Sequence, residues 1–141
     1  MILPLIMLSA MLAPQGAPAT PSGFALWSKG VPPGGMSEKD PFGNHTLSIS
    51  HRDKDGLVEV HEGFTDVIVV QTGSATLVVG GTVNDPQPAG PGEIRGKSIV
   101  NGVKRSISAG DVIHIAAGTP HQFFIPLGGQ ITYLLVKIAA R

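Results

Sequence analysis

After residue 20 this chain reads as short β-rich runs cut by glycine and proline, with no apolar spacing of helical period long enough to make a helix. Thr46–Ser50 alternates cleanly and Val58–His61 alternates apolar with polar; Val67–Gln71 and Ala75–Val79 are β-branched runs on either side of Thr72-Gly73-Ser74, which predicts a hairpin. Val103–Ile107, Val112–Ile115, Gln122–Ile125 and Ile131–Ile138 follow, each bounded by Gly, Pro or Asn. The 19 Gly and 12 Pro are scattered through these runs and form no repeat. Short strands at this density, with frequent turns, predict an all-β fold: one antiparallel β-barrel or jelly roll. The stretch from Gly80 to Gly92 holds Asn84-Asp-Pro-Gln-Pro88 and is expected to be an exposed loop. At 141 residues and 42% hydrophobic composition, the chain supports one core.

Residues 1–19 differ from the rest. An apolar run from Met1 to Ala13 precedes Ala17-Pro18-Ala19, the layout of a signal peptide cleaved before Thr20. The run is shorter than the ~20 residues a membrane span needs and contains Pro4. No Lys or Arg precedes it, so a buried N-terminal helix is the competing reading. Export to the periplasm or medium is the expectation, with a domain over residues 20–141 and no membrane contact after cleavage. Ten Lys+Arg balance ten Asp+Glu, so nothing in the overall charge attracts nucleic acid. The basic stretch from Arg95 to Arg105 is expected to be a solvated face. With no cysteine, disulfides and thiolate chemistry are excluded. Phe24–Trp27 reads as an apolar segment that covers an edge strand, in this chain or in the second subunit of a homodimer.

The chemistry concentrates on a few residues. Glu59 and His61 are two apart on a predicted strand and leave the same face. A short connection leads to Asp66, which a hairpin between the two strands would return beside His61. Ile68 and Val70 continue that face as lining. Further on, the turn Ala116-Ala-Gly118-Thr-Pro120 opens a strand at His121, and Pro120 restricts Thr119 and so helps aim it. Phe123 shares the parity of His121 and is expected to line the same pocket; His114 on the preceding strand is a candidate for that lining, with an outward or core-satisfied position as the competing reading. Carboxylate and imidazole donors converging in this way suit a hard or borderline divalent cation. The competing reading is a metal-free ligand pocket in which Glu59 and Asp66 are solvated.

These spacings resemble the two motifs of the cupin superfamily. The chain reads Glu59-x-His61, four residues, Asp66, six residues, Gly73; then Gly110, five residues, Ala116-x-Gly118, two residues, His121, three residues, Ile125. His61, Gly73, Gly110, Gly118 and His121 match in type and spacing. Asp53, Glu59, Asp66, Ala116 and Ile125 stand where the family has Gly, His, Glu, Pro and Asn. The resemblance implies a small single-domain barrel with Glu59, His61, Asp66 and His121 as ligands to a divalent transition metal such as Mn, Fe or Zn. It also implies a small-molecule substrate or ligand and a homodimer. The activity it implies is dioxygenase-, lyase- or isomerase-like, with a non-catalytic ligand-binding module as the alternative.

Overall fold

The structure, a computed structural model, describes residues 21–34 and 39–141. The leader expected over 1–19 lies outside the described residues. Those residues form one 3-10 turn, Ser28–Gly30, and twelve strands: β1 Lys39–Pro41, β2 His45–Arg52, β3 Val58–His61, β4 Phe64–Val79, β5 Thr82–Asn84, β6 Gln87–Gly90, β7 Glu93–Gly96, β8 Ser98–Val100, β9 Val103–Ser108, β10 Val112–Ile115, β11 His121–Phe124 and β12 Ile131–Ala139. None of their helices is long and apolar enough to cross a membrane.

The strands pair antiparallel in two layers that share β4. Its first half pairs with β12 and β10, and β2 and β1 extend that layer beyond β12. Its second half pairs with β9 and β11, and β3, β7 and β6 extend the other layer beyond β11. A jelly-roll barrel is the result. β5 and β8 form a separate two-stranded ribbon.

The predicted hairpin at Thr72-Gly73-Ser74 is therefore corrected: β4 runs straight through it. Thr and Ser favour the ladder, and Gly73 absorbs the irregularity with φ 77°. Opposite β12 the register skips Gln71 there, a β-bulge. The bulge changes which parity faces inward, from Asp66, Ile68 and Val70 before it to Ala75 and Leu77 after it, all buried. One strand can thus supply the core of both layers. A Cβ at residue 73 would overlap the Gln130 carbonyl, so no other residue fits.

Three further expectations are corrected. β3 does not pair with β4; it lies between β11 and β7, because the turn at Glu62-Gly63 carries the chain from one layer to the other. The segment from Gly80 to Gly92 is exposed but holds β5 and β6 rather than loop alone. Within this chain Phe24–Trp27 is not a strand and lies outside the sheet order; Phe24 and Leu26 are exposed, and β1 forms the edge beside β2. The apolar cluster between the layers contains Ile68, Val70, Leu77, Ile107, Ile115, Phe123, Ile131 and Tyr133. Phe123 and Tyr133 stack at 5.2 Å between centroids. Burying these side chains contributes about 1.5–3 kcal/mol each.

Candidate metal centre

A cavity of about 360 Å³ opens between the layers, walled by β2, β4 and β12 on one side and by β3, β7 and β11 on the other. Glu59, His61, Asp66 and His121 all line it. β3 carries Glu59 and His61 on one face, and His121 lies directly across from Glu59 in the β3–β11 register. The turn before β11 is tied to this arrangement by the Gly118 amide, which donates to the His61 carbonyl at 2.9 Å. Gly118 has φ 77°, a left-handed conformation that glycine adopts without penalty. Asp66 enters from β4 in the opposite layer.

The donor atoms converge. His61 Nε2 lies 3.6 Å from Asp66 Oδ2 and 3.9 Å from Glu59 Oε2. His121 Nε2 lies 3.8 Å and 3.7 Å from the same two oxygens. Around an ion with bonds of about 2.1 Å, neighbouring donors stand roughly 3.0–3.5 Å apart. The four nitrogen–oxygen separations exceed that range by a few tenths of an ångström. Glu59, His61 and His121 each offer a donor within 4.8 Å of the others. Asp66 is the more committed of the carboxylates: its Oδ1 accepts from Lys137 Nζ at 3.0 Å.

Both imidazoles are oriented through their other nitrogen. His121 Nδ1 donates to the Thr119 carbonyl at 3.1 Å, and a carbonyl only accepts. His61 Nδ1 donates to Glu93 Oε2 at 2.6 Å. In each ring Nε2 is then left with its lone pair turned to the cavity, the form a metal ligand needs. The chemistry of the donor set, two neutral imidazoles and one or two carboxylates, fits a divalent transition metal.

Electrostatics keep the carboxylates ionised. Burial opposes the charge on Glu59, but its interaction with His121 and the positive charges of Arg52 and Arg95 outweigh it and hold its carboxyl at about 2. Glu93 is lowered in the same way: burial works against its charge, while His61, Arg95 and Lys137 favour it. Arg52 lies 3.5 Å and Arg95 3.8 Å from Glu59. Arg52 also donates through Nε to Tyr133 Oη at 2.9 Å.

Of the expected lining residues, Ile68 and Phe123 face the cavity. Val70 does not; it is buried in the apolar cluster. His114 is corrected as well: on β10 it alternates with Ile113 and Ile115, so their inward facing turns it outward and leaves it exposed. Arg95 is not part of a solvated face, since β7 sits beside β3 and brings it to Glu59. Glu93, Arg52, Arg95 and Lys137 were not singled out as site residues. For Lys137 a signal existed: a lone charge in an apolar run, sharing the inward parity of Tyr133 and Leu135. His45 and His51 stay outside the site, His51 bonding Thr132 Oγ1 at 2.8 Å. Gln71 donates to the Gly30 carbonyl at 3.2 Å.

No family model matches the sequence, and no curated protein matches it significantly. Solved structures do match. A cupin-2 domain from Rhodospirillum rubrum aligns with a TM-score of 0.51 at 15% identity, covering 72% of this chain and 56% of that one. A cupin 2 conserved barrel domain protein from Rhodopseudomonas palustris aligns with a TM-score of 0.49 at 21% identity, over 72% and 57% of the two chains. A cupin protein from Bacteroides fragilis gives 0.49 at 17%, over 69% and 67%. This chain thus spans little more than half the length of the first two. It has the cupin fold, as the motif spacings implied, and at these identities the likeness concerns fold alone.

Proposed function

We propose that the protein is a metal-dependent enzyme acting on a small organic molecule, of dioxygenase, lyase or isomerase type. Glu59, His61 and His121 hold one divalent transition metal, with Asp66 as the adjoining fourth donor. The observation that carries this reading is the convergence of two oriented Nε2 atoms on the Glu59 and Asp66 carboxylate oxygens, at 3.6–3.9 Å, in a cavity large enough for a substrate. When bound, the metal supplies Lewis acidity and a template for the substrate. The protein's own part is to fix the ligands through Thr119 and Glu93 and to present an apolar wall of Ile68, Phe123 and Leu135. Lys137 Nζ, beside Asp66, is the group placed to deliver or hold a proton at the edge of the site.

A second reading has its own observation. Lys137 neutralises Asp66, and Arg52 and Arg95 flank Glu59, so the carboxylates are compensated without a metal. That arrangement suits a non-catalytic ligand pocket. Elemental analysis of protein purified without chelator separates the two. About one equivalent of Mn, Fe or Zn per chain, lost in His61→Ala and His121→Ala, is the expected result. Metal content below a tenth of an equivalent after incubation with each ion, and unchanged in those variants, would leave only the pocket. An oxygen-uptake and turnover screen against small phenols and keto acids then tests catalysis.

A further inference from the structure

We infer that the cavity takes a small organic carboxylate, and that Lys137 receives its anionic group; this rests on the metal reading above. The argument starts from charge. Among the residues that line the cavity, three cations, Arg52, Arg95 and Lys137, face three carboxylates, Glu59, Asp66 and Glu93. With both imidazoles neutral, the lining is balanced. A divalent ion adds two positive charges that no lining group offsets. Uncompensated charge in a partly dry cavity is costly, so the loaded site favours an anion.

The geometry says where the anion goes. Arg52 is committed to Tyr133 and Glu59, and Arg95 to Glu93 and Glu59. Arg52 reaches Glu59 from β2 and Arg95 lies beside it on β7, so both are held at Glu59. Lys137 stands across the cavity on β12, with a side chain 20% exposed and Asp66 as its hydrogen-bond acceptor. An ammonium has three donors, and Asp66 uses one. Once the ion draws charge from Asp66, Lys137 is the cation with both free donors and a weakened counter-charge. The rest of the lining decides between anions. Ile68, Phe123 and Leu135 give the cavity an apolar wall, which suits a carboxylate with a hydrocarbon body better than inorganic phosphate or sulfate.

The experiment uses the full protein loaded with Zn(II), an ion without redox chemistry, and calorimetric titration with benzoate, benzamide and inorganic phosphate. Zinc content is measured on every sample. Benzoate is expected to bind at least tenfold tighter than its neutral isostere benzamide, and tighter than phosphate. Lys137→Met should keep one zinc per chain and the wild-type circular dichroism spectrum while losing at least tenfold in benzoate affinity. Lys137→Arg should recover most of that loss. Equal affinity for benzoate and benzamide would overturn the anion preference. Phosphate binding as tightly as benzoate would overturn the carboxylate class, and unchanged affinity in zinc-loaded Lys137→Met the role of Lys137. Wild-type protein that takes up no zinc would sink the metal reading and this inference together, whereas zinc retained without benzoate binding sinks this inference alone.

Discussion

His121→Ala separates the metal's contribution to stability from the fold's. His121 is 2% exposed, its Nδ1 bonded to Thr119 and its Nε2 near both Glu59 and Asp66. Truncation leaves a cavity and an unpaired Thr119 carbonyl, which should cost the metal-free protein about 2–4 kcal/mol. The metal's effect is a different quantity. An ion that binds only the folded state adds RT ln(1 + [M]/Kd), about 2.7 kcal/mol at a hundredfold excess over Kd. For a domain of this size, where 1 kcal/mol moves Tm by roughly 3–5 °C, that is a rise of about 8–14 °C. Thermal melts of wild type and variant, each with excess EDTA and with excess Zn(II) or Mn(II), give both terms. Wild type should show the full rise. His121→Ala should melt lower in EDTA and rise by less than about 3 °C with the ion, the rough equivalent of losing most of the 2.7 kcal/mol. The control is His51→Ala, whose exposed side chain bonds only Thr132, and which should keep the full rise. If His121→Ala gains as much from the ion as wild type does, the ion binds elsewhere and the proposed centre is wrong.

Asp66→Ala decides between three and four ligands: metal affinity reduced at least tenfold means Asp66 coordinates, and wild-type affinity means that it serves Lys137 alone. Glu93→Gln should weaken metal binding by about 10–100-fold without unfolding the protein, because the carboxylate fixes the orientation and tautomer of His61; unchanged affinity in a competition assay would refute that role. Acid stability follows from the sign of the Glu59 shift. Its carboxyl, near 4.5 in the unfolded chain, is held at about 2 in the folded one, so its contribution is complete above pH 4.5 and is lost as pH falls through about 2. In EDTA, denaturant midpoints of Glu59→Gln should therefore change less than those of wild type across that window, and parallel curves would contradict the shift.

What was legible in the sequence, and what was not, divides along one physical line. Turn chemistry and strand parity are local. Gly110 therefore marks the entry to β10, Gly118 and Pro120 the entry to β11, and the alternation of Glu59 and His61 one face of β3. Pairing between layers is not local. Thr72-Gly73-Ser74 has the composition of a hairpin, and only the presence of β12 and β9 on opposite halves of β4 makes it a bulge in a single strand. The partner assigned to β3 was wrong for the same reason, yet Asp66 still reaches His61, because the turn at Glu62-Gly63 is short enough to bring the two layers face to face there.

The same line explains the electrostatic shell. Arg95 and Lys97 are close in sequence and look alike, but β7 pairs with β3 through Arg95 and Glu93, while Lys97 lies beyond the strand and bonds the exposed Asp85 at 2.7 Å. A basic stretch read as one face thus divides between a cavity wall and the surface. The same shell bears on one departure from the cupin motif, Glu59. A carboxylate at residue 59 in place of an imidazole adds a negative charge to the candidate metal centre, and that charge requires compensation inside a barrel. Arg52 from β2 and Arg95 from β7 supply it from neighbouring positions that the motif does not include. Lys137 pairs with Asp66 from β12, at a position where the motif itself has a carboxylate. Glu59 and its two arginines are therefore one feature, and a chain carrying Glu59 without Arg52 and Arg95 would leave a half-buried carboxylate without its partners.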